Sequence, residues 1–174
     1  MTSTDLYEKF EALEEAVAHC YFVFHERFLS NSRLAKFWVD AALDEMQHAS
    51  ILRFCREHEL FGRIDDATAV ARKIDDLLDT LKDAASKPNI SVDDAFAAAL
   101  IVESSELDEA YEKLTRPLVQ AHMILYEAIQ SNLRLHHYNF AEAAEEFCRD
   151  KGYAEAFTSL ARTDRRLFAE RTLQ

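Results

Sequence analysis

Glycine and proline are scarce in this chain of 174 residues, which has two of each. Sheets joined by many tight turns need these residues, so a β-sandwich or a β-barrel is excluded. Phosphate-binding loops of the GxGxxG and GxxxxGK types are excluded as well, because two isolated glycines cannot build them. The length suits one domain with its own core. The composition therefore predicts an all-α fold with long helices.

Cysteine is also rare, and no long apolar run occurs. Cys20, Cys55 and Cys148 are too few and too scattered for a disulfide framework, and no CxxC pair is present for a zinc-ribbon site. No apolar stretch approaches the roughly 20 residues of a membrane span, and the N-terminus has no signal-peptide pattern. We therefore expect a soluble, cytoplasmic protein whose cysteines are small buried apolar side chains.

Acidic charge is what the chain has in excess, with 32 acidic residues against 20 basic ones and a formal net charge of −12. Such a surface repels nucleic-acid phosphates and anionic lipids, so neither nucleic acid nor a membrane is expected as a partner. It attracts cations instead.

Apolar residues recur at helical spacing along most of the chain. The pattern predicts helices at about 4–28, 33–58, 67–86, 92–114, 118–149 and 154–172. Four of them are long and form two tightly connected pairs, with one helix between the pairs. This order is typical of an antiparallel four-helix bundle with one long helical crossover and an extra C-terminal helix. Without a low-complexity linker, residues 1–174 form a single predicted domain, with a bundle core at about 5–149 and a last helix at about 153–172.

Acids and imidazoles fall on the apolar faces of all four long helices when residues are placed 100° apart. The inner residues are, in chain order, Glu14, Glu45, Glu103 and His136, with His48 and Glu106 one turn on at the edges of the same faces. Glu15 is predicted to face solvent. Buried carboxylates need a partner, and no Lys or Arg lies on these lines at this level. A metal ion is the expected counter-charge, and Glu and His ligands suit iron or manganese.

These motifs resemble those of rubrerythrin and other ferritin-like di-iron carboxylate proteins. The resemblance rests on Ala12-Leu13-Glu14, Tyr21-Phe22, Glu45-Met46-Gln47-His48 and Glu103-Ser104-Ser105-Glu106, and it covers about residues 5–149. It implies a ferritin-like bundle with Glu14 and His48 as terminal ligands and Glu45 as a bridging ligand. It also implies that Glu103, Glu106 and His136 serve the second metal.

The fourth long helix departs from the family pattern. A second ExxH motif should end at His136, but Leu133 stands where its bridging glutamate belongs, and Asn132 offers only a neutral oxygen. The site therefore holds two irons with Glu106 in compensation, one metal, or none. His137, about 100° from His136, is expected at the surface.

The resemblance implies a di-iron oxidase or peroxidase of rubrerythrin type, which oxidises Fe(II) and reduces O2 or H2O2. Glu45 and Tyr21 are its candidate catalytic residues; core packing is the other interpretation of Tyr21. The alternative is a degenerate bundle that binds one metal or none and acts as an interaction or structural module. A third hypothesis is a di-iron oxygenase, which needs a channel for an organic substrate. Apolar residues off the inner faces, Phe22, Phe54 and Phe61, predict a homodimer.

Overall fold

Helices make up the regular structure of the chain. The computed structural model describes residues 2–105 and 107–171, and within these ranges it contains no strand. The helices are α1 (Ser3–Arg27), α2 (Ser32–Glu57), α3 (Ala67–Ser86), α4 (Val92–Glu103), α5 (Leu107–Thr115), α6 (Leu118–Ala121), α7 (Met123–Phe147) and α8 (Gly152–Arg171). The all-α prediction is thereby confirmed. No helix in the described ranges is long and apolar enough to cross a membrane.

The first two helices form an antiparallel hairpin. Asn31 in the short connection caps α2 by accepting a hydrogen bond from a backbone N–H of its first turn. Near this connection, the rings of Tyr21 and Trp38 lie 5.3 Å apart. At the far end, Arg56 Nε donates to Glu11 Oε1 at 2.6 Å. The hairpin therefore brings the middle of α1 beside the middle of α2, where Glu14 and Glu45 lie.

The later helices close the core around this hairpin. Helix α3 packs on α1 and leads to α4, while α7 contacts α2, α4 and α8. A group of aromatic side chains fills the space between them, comprising Tyr21, Phe24, Phe37, Trp38, Phe96, Phe140 and Phe157. The Phe24 and Trp38 rings and the Phe140 and Phe157 rings each approach to 4.9 Å. Such edge-to-face and stacked pairs stabilise a core beyond the area that they bury.

Two predicted long helices are each interrupted. The helix predicted at 92–114 ends at Glu103 and resumes at Leu107, and the one predicted at 118–149 is broken at His122. At the first break, Ser104 Oγ donates to the Leu100 carbonyl at 2.6 Å, so a side chain competes with the backbone hydrogen bonds of the helix. The break makes Glu103 the last residue of α4.

The three phenylalanines of the predicted homodimer surface, Phe22, Phe54 and Phe61, lie partly buried against the core. The ring of Phe61, for example, packs edge-on to that of Tyr7 with centroids 5.3 Å apart. The homodimer stays a prediction, with these side chains already used within one chain.

All three cysteines are buried and free, as the sequence predicts. Burial raises the pKa of Cys20 and of Cys148 to about 12 and that of Cys55 to about 11. The thiols are therefore protonated at neutral pH, which makes them poor metal ligands and poor nucleophiles.

Gly62 lies where the loop after α2 meets the end of α5. A Cβ at this position would lie 2.0 Å from the backbone oxygen of Lys113, a distance that no relaxation of a side chain can relieve. The phenol of Tyr7 holds the same junction, since it donates to the Leu114 carbonyl at 2.6 Å and accepts from Gly62 N at 2.8 Å. Only a residue without a side chain allows this approach.

We expect Gly62→Ala to lower the free energy of unfolding by about 1–3 kcal/mol, because the new methyl group overpacks a backbone contact. Urea unfolding followed by circular dichroism measures it. Gly152→Ala is the matched control, since its Cβ would meet only the flexible side chain of Asp150, at 3.1 Å. A G62A variant as stable as G152A would contradict this account of the junction.

Candidate metal centre

Charged side chains from four helices meet inside the core. Glu45 is 4% exposed, Glu103 is 8% exposed and His136 is 2% exposed, while Glu14 is partly buried. Helix α1 supplies Glu14 and Tyr21, α2 supplies Glu45 and His48, α4 supplies Glu103, and α7 supplies His136 and His137. Groups that are distant in the sequence thus share one buried layer.

Glu45 lies at the middle of this layer and faces two histidines. Its Oε2 is 2.9 Å from His48 Nδ1, and its Oε1 is 3.0 Å from His136 Nε2. Two sets of potential ligand atoms follow, each with all its members within 4.8 Å of one another: Glu14, Glu45 and His48, and Glu45, Glu103 and His136. Glu45 belongs to both sets, so the two sets share one carboxylate.

Three hydrogen-bonding groups surround Glu103. The phenol of Tyr21 donates to Oε1 at 2.8 Å, and His136 Nε2 lies 3.3 Å from the same oxygen. His137 Nε2 lies 3.3 Å from Oε2. These three contacts orient the carboxylate of Glu103 at the C-terminal end of α4.

An outer pair of polar residues orients the two imidazoles. Asp44 Oδ2 lies 3.2 Å from His136 Nδ1, and Asn132 Oδ1 lies 3.1 Å from His48 Nε2. Asn132 also donates from Nδ2 to Asp44 Oδ1 at 3.2 Å, so the two outer residues hold each other. Partners of this kind fix the tautomer and the orientation of histidines that bind metals. With Nδ1 of His136 facing Asp44, its Nε2 points to Glu45 and Glu103.

The carboxylates and imidazoles of the layer shift one another's pKa values toward their charged forms. Burial alone would raise the pKa of Glu45, but the charges of His136 and then of His48 bring it below its ordinary value. In the same way, His136 outweighs burial and lowers the pKa of Glu103 to about 2. Burial would lower the pKa of His136, yet Glu103 and then Glu45 raise it well above its ordinary value. Protons on the imidazoles therefore balance the carboxylates in the metal-free protein.

A third buried carboxylate is balanced differently. Glu11, 6% exposed, accepts hydrogen bonds from Arg53 at 3.2 Å and from Arg56 at 2.6 Å. Among the described side chains, no Lys or Arg forms an ion pair with Glu45 or Glu103, whose charged neighbours are histidines. Unlike arginine, an imidazole gives up its proton readily and then binds a metal, so the layer can exchange protons for metal ions.

A small cavity lies within the layer. It has a volume of about 30 Å³ and is lined by Glu14, Glu45, His48, Glu103 and Leu133, among others. This exceeds the roughly 10–15 Å³ that a single buried water needs. The donor set of three carboxylates and two imidazoles fits iron or manganese. The residues present therefore fit a metal centre, while Leu133 occupies part of the cavity wall with an apolar side chain.

Most of the predicted site residues come together. Glu14, Glu45, His48, Glu103 and His136 do so, and Tyr21 joins them through Glu103. The predicted ligand Glu106 lies outside the described residues. The prediction that Glu15 faces solvent is confirmed, because Glu15 is exposed and pairs with Arg53 at 2.6 Å, whereas Glu14 is partly buried.

One prediction was wrong and one residue was missed. His137, expected at the surface, is 2% exposed because α7 packs against α4 and α8 as well as α2 and so buries a wide arc. Asp44 was not singled out, although it directly precedes Glu45 and thus borders the inner face of α2.

Comparison with known protein families, with curated proteins and with solved structures finds no match to the chain. The fold and the geometry of the site are therefore what indicate the class of protein. It is an all-α protein with a buried carboxylate and histidine cluster that could hold a metal ion.

The balance of charges makes the metal-free protein sensitive to pH. Carboxylates with a lowered pKa stabilise the fold above their unfolded pKa, near 4.5 for Glu45, and this contribution is lost as the pH falls through the folded pKa. Histidines with a raised pKa stabilise it below their unfolded pKa, near 6.5 for His136, and this contribution is lost as the pH rises through the folded pKa. The cluster thus contributes most between these two values.

We expect the metal-free protein to unfold at lower urea at a pH of about 8.5 than at a pH of about 6, because the raised folded pKa of His136 requires a neutral imidazole to take up a proton on folding at the higher pH, and protons are then scarcer. His136→Gln should flatten this difference, whereas the exposed His19→Gln should keep it. Equal stability of the native sequence at the two pH values would contradict the charge balance described above.

Proposed function

We propose that the protein is a ferritin-like metal protein whose buried layer binds two iron ions and uses them to reduce O2 or H2O2. The observation that carries the proposal is the position of Glu45, one oxygen of which faces His48 and the other His136. A carboxylate in this position can join two ions at a short separation. The tight α1–α2 hairpin, the α3 crossover and the contacts of α7 with α2 and α4 support a four-helix arrangement of ferritin type.

Iron bound at this site would supply the two electrons that, with two protons, convert one H2O2 to two waters. Glu14 and His48 would hold one ion, Glu103 and His136 the other, and Glu45 both. Carboxylates suit such a change of charge because they bind through one or both oxygens.

The chain's own groups handle the protons and exclude water. Burial, followed by the charge of Glu103, raises the pKa of Tyr21 well above its ordinary value, so its phenol stays protonated and donates to Glu103. Asp44, whose side chain is 26% exposed, accepts the Nδ1 proton of His136 and links this imidazole to solvent. Trp38 and Phe140, both fully buried, close the layer on one side. The site therefore combines an apolar wall on one side with a polar contact toward solvent at Asp44.

A second candidate function is a module that binds one metal or none. Leu133 favours it, because this apolar side chain lines the cavity of the layer where the resembling family places a bridging glutamate. One metal would then occupy the more deeply buried set of Glu45, Glu103 and His136, and no turnover of O2 or H2O2 above that of free iron is expected.

An anaerobic Fe(II) titration of the metal-stripped protein tests the shared carboxylate. We expect two irons per chain, none in Glu45→Gln, and one in each of Glu14→Gln and Glu103→Gln, since only Glu45 belongs to both ligand sets. Admission of air should then give an optical spectrum of ferric iron in the native sequence. Glu15→Gln, which changes an exposed neighbour, should still bind two.

Circular dichroism verifies that each variant folds. Undiminished iron in E45Q would overturn the metal centre itself. One iron in the native sequence, lost in E103Q and kept in E14Q, would favour the one-metal module instead.

Leu133→Glu tests the departure from the family pattern. The new carboxylate adds a fourth buried negative charge beside Glu14, Glu45 and Glu103, so we expect it to destabilise the metal-free protein by about 1–3 kcal/mol. Metal should reverse this, because the carboxylate can then serve as a second bridge. Melting temperatures with and without Mn(II) measure both effects. Leu135→Glu is the control, since Leu135 is 58% exposed on the same helix. A metal-induced rise in L133E no larger than that in L135E would contradict a cavity able to take a second bridge.

A further inference from the structure

A cleft between α2 and α7 leads from the surface to the metal centre. Its volume is about 340 Å³, and both Asp44 and His136 lie on its lining. A cavity of this size is typical of small-molecule sites, which lie in the range of about 300–1,000 Å³. The cleft thus reaches Asp44, a partly exposed residue that contacts the buried layer.

The walls of the cleft are apolar and aromatic. Phe37 and Ala41 line it from α2, and Phe140, Ala143 and Phe147 line it from α7. The Phe37 and Phe140 rings meet edge to face with centroids 5.0 Å apart, and Phe37 also stacks on Phe96. These contacts hold the wall side chains in place without a ligand. Binding therefore costs little conformational entropy for ordering them.

The charges in the cleft favour a cation. Its four carboxylates belong to Asp40, Asp44, Glu142 and Glu146, against two cationic side chains, Arg33 and Lys36. Both cations are already engaged at the rim, Arg33 with Glu146 at 2.7 Å and Lys36 with Asp40. The imidazole of His136 lies 3.2 Å from Asp44 and partly balances it, so the four carboxylates still outnumber Arg33, Lys36 and His136, and the faces of aromatic rings also attract cations.

We propose that this cleft binds a small organic amine, with its ammonium group on Asp44 and its apolar body against the partly exposed rings of Phe37 and Phe147. Each oxygen of Asp44 accepts one hydrogen bond within the protein, from Asn132 and from His136. An ionised carboxylate has about four acceptor positions, so room for an ammonium donor is left. Asn139, which also lines the cleft, adds an amide oxygen within the same space.

A bound amine would lie one side chain from the metal ligands, because Asp44 contacts His136 directly. The proposal uses only groups of the cleft and does not depend on whether iron binds. It gives the chain a ligand class that a simple ferroxidase does not need.

Three matched probes test the ligand class: 2-phenylethylamine, 2-phenylethanol and phenylacetate. Binding to the metal-free protein is measured by nuclear magnetic resonance titration, and then again with the iron-loaded protein. We expect the amine to bind at least about ten-fold more tightly than the alcohol, because a charge-assisted hydrogen bond replaces a neutral one. The carboxylate should bind most weakly. Amine binding to the metal-free protein supports the cleft even if the iron titration fails.

Substitutions on α2 and α7, the two helices that line the cleft, test where the amine binds. Asp44→Asn should weaken amine binding about ten-fold or more, and Glu142→Gln by a few-fold, as removal of an exposed charge does. Glu145→Gln, exposed on the same helix but outside this cleft, should leave binding unchanged. If D44N fails to fold by circular dichroism, the comparison of E142Q with E145Q decides alone. Binding of phenylacetate as tight as that of the amine, binding insensitive to these variants, or no binding of any probe would each overturn the proposal.

Discussion

Two carboxylates buried without a lysine or arginine among their described partners govern this structure. Among the described side chains, the ion-pair partners of Glu45 and Glu103 are histidines. Buried carboxylates are costly unless a positive charge or hydrogen bonds compensate them. The arrangement around them follows from that requirement: Tyr21 donates from one side, and Asp44 and Asn132 orient the imidazoles from the other. The structural ion pair at Glu11 shows that the same chain uses arginine where it needs permanent neutrality.

The helices could be predicted because their apolar residues recur at helical spacing over long stretches. The inner acids could be predicted as well, since a carboxylate in line with residues such as Val17 or Leu52 is unusual enough to need a cause. The breaks at Ser104 and His122 could not, because each depends on local competition for backbone hydrogen bonds that periodicity does not record. Helical order is therefore readable from the sequence, whereas the end of α4 at Glu103 is not.

The missed parts of the site share one physical reason. The prediction placed one row of inward-facing residues on each helix, which is correct only for a helix that buries a single narrow face. Helix α7 packs against α2, α4 and α8, so His137 is buried as well as His136. Asp44 lies at the border between the buried layer and the cleft, and a half-exposed acid beside a buried one has no distinctive pattern. Which edge residues point inward depends on the packing of distant helices.

The two ligand sets differ in how much of the chain must fold to assemble them. Glu14, Glu45 and His48 all belong to the α1–α2 hairpin, whose contacts are local in sequence, whereas Glu103 and His136 come from α4 and α7. Local contacts form before distant ones because they close shorter loops. During synthesis, the N-terminal hairpin leaves the ribosome before α4 and α7, so Glu14, Glu45 and His48 are made first. In the proposed metal protein, this three-residue set would be open to a metal ion before Glu103 and His136 are made, and the order of translation would become an order of loading.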